Sequence, residues 1–169
     1  MPVLSTMGLK KIYVTDAGAD GTMPAKGSDW KDLGDVYQDT CQLTDSDPET
    51  TVHKSETSSK KITQVGETET TLALSLMDPD LDLLARYFGG TVEGETPNRK
   101  WVRPKKLPYK EFAIWQQPEE GLFIGCPNVR IIPKFEITYS STGICLVPLT
   151  IQYQAELQID EAMTDPTKA

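Results

Sequence analysis

The sequence predicts a mainly β protein, an antiparallel β-sandwich or barrel with one short flanking α-helix. Three observations lead there. Apolar and polar residues alternate with a period of two through residues 129–159. Upstream, shorter runs rich in Thr, Val, Ile and aromatic residues are cut by Gly, Pro, Asn and Asp. A single segment, between Asp78 and Gly90, has helical spacing instead.

In the alternating region Val129, Ile131, Phe135, Ile137 and Tyr139 are interleaved with Arg130, Lys134, Glu136 and Thr138. After Ser140, Ser141, Thr142 and Gly143 the odd positions from Cys145 to Ile159 are all apolar, while Thr150, Gln152, Gln154, Glu156 and Gln158 are polar. Two such runs joined by a short Gly-containing loop predict a long antiparallel hairpin with one apolar and one wet face. The odd residues should face the core and the even ones solvent or the inside of a larger assembly. At about 3.3 Å per residue the second run would extend on the order of 50 Å, well past the usual strand.

Shorter strands are expected at residues 10–15, 50–55, 60–65, 70–76, 111–117 and 121–125, with Leu72, Leu74 and Leu76 on one face of the fourth. Pro118, Glu119, Glu120 and Gly121 read as the turn between the last two. The helix should have Asp78 as N-cap, Pro79 in its first turn, an apolar stripe of Leu81, Leu84, Ala85 and Phe88, and Gly89 and Gly90 as its stop. At roughly ten residues it is too short to stand alone, so its stripe must pack on a sheet.

A chain of 169 residues is expected to form one domain spanning 1–169. The net charge of -8 repels nucleic acid and anionic membranes, which disfavours DNA binding. Residues 1–17 hold no apolar leader, and no stretch approaches the ~20 apolar residues of a membrane span, so secretion and membrane insertion are not expected. Cys41, Cys126 and Cys145 are odd in number, far apart and within strand patterns, which predicts three buried reduced thiols and folding in a reducing cytoplasm. The tail 160–169 is short and polar and is expected to fray.

Chemistry-bearing patterns are few. His53 is the only histidine, sits in a polar strand-like run, and has no nucleophile elbow to serve, so it reads as a surface residue. Asp16, Gly18, Asp20 and Gly21 echo the start of a calcium loop, but the twelfth position is Gly27 where a bidentate Glu is needed, which favours a plain turn. Asp80 and Asp82 complement a helix dipole rather than forming a catalytic pair. No catalytic residue, cofactor site or metal site is expected.

Two long polar stretches stand out instead. Residues 39–60 carry Asp39, Asp45, Asp47, Glu49 and Glu56; residues 91–110 carry Arg99, Lys100, Arg103, Lys105, Lys106 and Lys110 around Trp101. Cations beside an aromatic could stack on a nucleic acid, but the acidity of the whole chain favours a solvated or subunit-contacting loop. The opposite signs predict that the two stretches meet between neighbouring subunits.

Trp30, Leu33, Gly34, Asp35, Val36, Tyr37, Asp39 and Thr40, then Asp47, Pro48, Glu49, Thr50, Thr51 and Glu56, follow an order that resembles the major tail tube proteins of long-tailed bacteriophages. The order continues through Leu72, Leu74, Leu76 and Asp78 to Gly89, Gly90, Thr91 and Val92, then Trp101 and Pro104, with a late hairpin closing the chain. The similarity covers about residues 8–160 and implies a tail-tube-like β-sandwich with a flanking helix. It further implies hexameric rings stacked into a hollow tube, partners among the tape-measure and other tail proteins, and DNA passing through the lumen without specific binding. It places the protein in a virion tail, of a phage or prophage, assembled in the host bacterial cytoplasm. The early acidic loop would then take part in ring stacking.

Two alternatives share the fold prediction. A tail completion or adaptor protein would not polymerise indefinitely. An extracellular carbohydrate-binding β-sandwich would stack sugar rings on exposed Trp30, Trp101 and Trp115.

Overall fold

A computed structural model describes residues 8–161 and 164–168. Residues 1–7, 162, 163 and 169 lie outside the described residues, and with them part of the N-terminal stretch in which no leader is expected and part of the C-terminal tail. In chain order the elements are β1 (Lys11–Asp16), β2 (Lys31–Asp32), β3 (Gln42–Asp45), β4 (Thr50–Lys54), β5 (Lys61–Val65), β6 (Thr70–Met77), the helix α1 (Leu81–Phe88), β7 (Val92–Glu93), β8 (Lys100–Trp101), β9 (Phe112–Gln117), β10 (Phe123–Pro133), β11 (Glu136–Ile137), β12 (Cys145–Tyr153) and β13 (Gln158–Asp160). The protein is mainly β and antiparallel, with one short helix among the described residues, as the sequence predicts.

One nine-stranded sheet runs β2-β1-β9-β10-β12-β6-β3, with β11 beside β12 and β13 beside β10. Its two ends are joined by the segment that contains β2. Lys31 and Asp32 pair with Val14 and Tyr13 of β1, and Leu33 N–H donates to Ile12 O at 2.8 Å. The same segment then reaches β6: Val36 bridges Leu76, Met77 N–H donates to Asp35 O at 2.9 Å, and Tyr37 N–H donates to Ser75 O at 2.8 Å. The sheet therefore closes into a barrel, which removes most of the open strand edges that an unclosed sheet would expose.

The crossing from β1 to β6 passes through Gly34 at φ 134°, a backbone shape that side chains oppose. A Cβ there would lie 2.8 Å from Leu83 Cδ1 and 3.3 Å from Leu76 Cδ2. Glycine lets the strand bend directly against the helix and the core.

Inside the barrel lie Ile12, Val14, Leu72, Leu74, Leu76, Ile114, Val129, Ile131, Val147, Leu149 and Ile151, all buried. Their period-two spacing on each strand is what aims them at one another. Leu84, Tyr87 and Phe88 of α1 join this core, and the Tyr87 hydroxyl donates to Leu33 O at 3.0 Å, so the helix is tied to the closing segment. Burial pushes the Tyr87 hydroxyl up to about 12.

The strands β1 and β9 are buried on both faces. Tyr13, Trp30, Ala113, Trp115 and Phe123 form a second cluster outside the barrel, with Met23 packed on it. Gly125 makes this possible, since a Cβ there would sit 2.5 Å from the Trp115 ring. The C-terminal tail contributes as well: Pro166 is fully buried and its carbonyl accepts from Gly27 N–H at 2.9 Å. The expected fraying of the tail is thus corrected at Pro166, whose apolar ring and free carbonyl both find partners.

The long hairpin forms, with Val129, Ile131 and Pro133 opposite Tyr153, Ile151 and Leu149. Odd residues from Val129 to Pro133 and from Val147 to Ile151 are buried, as expected. The alternation fails at the ends: Ile137 is 41% exposed, Tyr139 93% and Ile159 47%. Ile137 and Tyr139 lie past the end of β10, where among the described residues β11 pairs with β12 alone. Nor is the second run one continuous strand. It breaks between β12 and β13, where Gln154 N–H bonds Asn128 O beside a register shift between Cys126 and Val129, and then resumes against Phe123, Ile124 and Gly125. The predicted strand at 121–125 proves to be the start of β10, which Pro127 crosses without interruption.

The helix starts two residues later than predicted. Asp78 adopts φ 45° while its N–H still reaches Cys145 O, so the chain has not yet left the sheet. Asp80 is the N-cap, accepting from Leu83 N–H at 2.8 Å. Of the cysteines only Cys126 is buried; Cys41 and Cys145 are half-buried, and all three are free thiols. The expectation of three buried thiols is corrected for the two that lie toward the barrel surface.

Leu84→Ala should lower stability by about 2–5 kcal/mol, the range for emptying a core aliphatic site, as read from urea unfolding. Gly34→Ala should cost about 1–3 kcal/mol through backbone strain and the contact with Leu83. A wild-type denaturation midpoint for Gly34→Ala would remove the crossing from the constraints on the fold.

Candidate functional site

Strands β4 and β5 form a separate two-stranded sheet in which every residue is exposed. It is an arm that departs from the β3 and β6 end of the barrel. Two strands without a core are marginal in water, and this arm carries exposed apolar side chains: Val52 at 42%, Ile62 at 55% and Val65 at 60%. Its register places Lys54 directly opposite Lys61, a like-charge pair that destabilises the ribbon, with Lys60 adjacent. His53 sits on this arm, exposed, opposite Ile62.

The predicted acidic stretch is therefore divided by the structure. Asp45 pairs with Thr70 across β3 and β6 and accepts from the Thr70 hydroxyl at 2.6 Å. Asp47 and Glu49 follow, exposed, with exposed Glu67 and Glu69 returning on the other side, and together they form an acidic collar at the base of the arm. The outer part of the arm is basic instead: Glu56 has Lys54, Lys60 and Lys61 around it. Asp39 lies apart from both, at φ 59° in the turn before β3. Sequence reasoning missed the basic tip, although three lysines within eight positions were visible; the acids around them masked it.

The basic stretch 91–110 packs on α1, which follows the other end of β6. Trp101 Nε1 donates to Gly89 O at 2.9 Å, and the Trp101 ring leans on Phe88 and Phe135, which stack on each other at 4.7 Å. The Arg103 guanidinium covers that pair, 4.8 Å from the Phe88 centroid and 5.5 Å from that of Phe135. Arg99 is paired with Asp82 of α1. Arg99 and Arg103 are thus occupied within the chain, whereas Lys100, Lys105 and Lys106 are exposed and lack ion pairs among the described residues. Exposed Val102, Ile137, Tyr139 and Ile144 surround this end.

The structure opposes a sugar-binding face built on tryptophans. Trp30 is 2% exposed and Trp115 5%, and Trp101 is half-buried against the helix. These rings hold the outer cluster and the helix end in place. Asp16 pairs with Lys110 at 3.5 Å, and the Asp20 carboxylate accepts from Thr22 N–H and hydroxyl at 3.1 and 2.8 Å, so these acids serve a turn. Among the described residues no helix is long and apolar enough to cross a membrane.

A groove of about 900 Å³ runs along the seam between β1 and β3, beside the closing segment. Leu9, Val36, Leu43 and Ile124 line it, together with Asp35, Asp39 and Glu119. Cys41 also faces it, and burial pushes that thiol up to about 11.

No protein-family model and no curated protein matches the chain. Among the solved structures similar to it are two chains of gene transfer agent particles. One is a chain in the tail of an empty gene transfer agent particle, computed with helical refinement and C6 symmetry, at 14% identity and a TM-score of 0.47, with 88% of this chain and 92% of that chain covered. The other is a chain in the virion of a native gene transfer agent particle, at 14% identity and a TM-score of 0.45, with 88% and 95% covered.

Because Arg103 caps two aromatic rings, Arg103→Ala should lower stability by about 1 kcal/mol, equivalent to a melting shift of roughly 2–4 °C for a chain of this size. Lys105→Ala, with no partner in the chain, should stay within about 0.5 kcal/mol of the wild type. Equal effects from the two in thermal unfolding would contradict the assignment of Arg103 to the aromatic cluster.

Proposed function

We propose that the chain is a structural subunit that assembles with copies of itself, as hexameric rings stacked into the tail tube of a long-tailed phage or phage-like particle, with DNA passing through the lumen. The observation that carries this is the polarity of the barrel. Its β6 strand begins at Thr70, beside the acidic collar and the exposed arm, and ends at Met77, where the chain passes into α1, on which the basic loop is held by Arg99 with Asp82 and by Trp101 and Arg103 with Phe88. Surfaces of opposite sign at opposite ends of one strand fit each other only between different copies. Such a contact is heterologous and propagates head to tail rather than closing on itself.

Apolar side chains are exposed at both ends, Val52, Ile62 and Val65 on the arm and Val102, Ile137, Tyr139 and Ile144 at the opposite end. Their burial would supply most of the affinity, since each exposed ion pair contributes only about 0.2–1 kcal/mol. Charge then sets register and partner. The resemblance of residues 8–160 to tail tube proteins supports the same assignment, and a net charge of -8 per copy keeps a passing polyanion from adhering. On this proposal residues 1–169 act as one structural domain with no catalytic role. The tape-measure protein and other tail components are its partners, and the virion tail, assembled in the host cytoplasm, is its location.

Electron microscopy of concentrated protein should show rings and tubes. Lys105→Glu with Lys106→Glu should leave the barrel folded and impair assembly, and Asp45→Lys with Asp47→Lys on the same background should restore it. Raising salt should weaken the wild type's assembly, because the Debye length is about 8 Å at physiological ionic strength and shrinks further above it. Unimpaired assembly of the double-glutamate variant would rule out the collar-to-loop contact. Rings that stop growing would mark a completion or adaptor component instead.

A further inference from the structure

We propose that the β4–β5 arm of one copy lies in the seam groove of a second copy. The proposal rests on the self-assembly described above and identifies the receiving surface. The groove has the chemistry to accept the arm. Its sides are half-buried and apolar at Leu9, Val36, Leu43 and Ile124. These residues match the exposed Val52 and Ile62 on the arm's two faces.

The charges are complementary as well. Four carboxylates line the groove, Asp32, Asp35, Asp39 and Glu119, against Lys10 and Lys11. Lys11 is taken by Asp32 at 3.7 Å. Asp35, Asp39 and Glu119 are exposed and lack ion pairs among the described residues. The arm presents Lys54, Lys60 and Lys61 against Glu56, and the Lys54–Lys61 pair is repulsive until an acid is placed beside it. A carboxylate surface converts that internal strain into specificity for the partner.

The lengths agree. Met77 lines the groove near the helix end of β6 and Leu72 lines it toward the other end, a separation of roughly 17 Å at about 3.3 Å per residue. The arm's strands, Thr50–Lys54 and Lys61–Val65, have five residues each and so extend about 13 Å from first to last residue, which fits within that length. Because Met77 and Asp35 share one end of the groove, an arm arriving from a copy stacked on the basic end enters there and runs toward Leu72. The collar-to-loop contact and the arm-to-groove contact then form together.

Cys41 within the groove offers a direct test. Val52→Cys and Ile62→Cys are made separately in full-length protein with Cys145→Ser, and assembled samples are oxidised with diamide at pH 8.5. The variant whose cysteine faces the groove should give a Cys41 cross-linked dimer, mapped by mass spectrometry, and the other should give at least tenfold less. Asp35→Lys with Asp39→Lys should raise the concentration needed for assembly at least tenfold, and Lys54→Glu with Lys61→Glu should restore it. Tubes that form with no Cys41 cross-link from either position would overturn the groove as the docking site and leave self-assembly standing. Failure of the unmodified chain to assemble at all would remove both.

Discussion

Closure of the sheet is the constraint on which the rest of the structure depends. Without the segment from Lys31 to Tyr37, β1 and the part of β6 beyond β3 would be open edges of a curled sheet, and the aliphatic core between them would be wet on one side. The segment joins both edges within a few residues because Gly34 allows the backbone to bend where Leu76 and Leu83 leave no room for a side chain. The same segment receives the Tyr87 hydroxyl, so sheet closure and helix docking are one event. The groove lies along this seam because closure is partial there: the chain leaves β1 before β3 has begun.

A second consequence of closure is that the barrel has an inside and an outside, and one wall is buried on both. Strand β9 reads Phe-Ala-Ile-Trp-Gln-Gln, with Phe112 and Ile114 inside and Ala113 and Trp115 outside. Covering the outer face takes Trp30, Met23 and the tail at Pro166. The opposite side, around β3 and β6, carries the arm and the collar and is left for other contacts.

Charge is distributed by element rather than by stretch of sequence. Acids gather where β3 and β6 meet the arm, lysines gather on the arm's outer part and on the loop after α1, and the two arginines of that loop lie along the surface against Asp82 and over the Phe88–Phe135 stack. Arginine suits those contacts because its planar group lies flat on aromatic rings and grips a carboxylate, whereas lysine keeps its hydration. The outcome is a molecule whose charge is sorted into separate patches, an acidic collar below a basic arm tip and a lysine-bearing loop after α1, although its net charge is simply negative.

Much of this was legible in the chain. Period-two alternation identified β6, the later half of β10 and β12 and the face each would bury, because side-chain direction along a strand is a local property. Asp78, Pro79 and Gly89 bracketed the helix to within two residues, and the family resemblance ran through Gly34, Asp35 and Val36 without revealing that they close the barrel. What sequence could not supply were the pairings between distant segments: Val36 with Leu76, Lys54 with Lys61, Arg103 over Phe88, and Pro166 against Gly27. Ile137 and Tyr139 continue the apolar pattern yet lie past the end of β10, and only the length of the facing strands decides that they stay exposed. Local pattern thus determined which residues form strands and which way they face, while the tertiary structure decided which charges remain free to meet another copy, since that depends on contacts made across the whole chain.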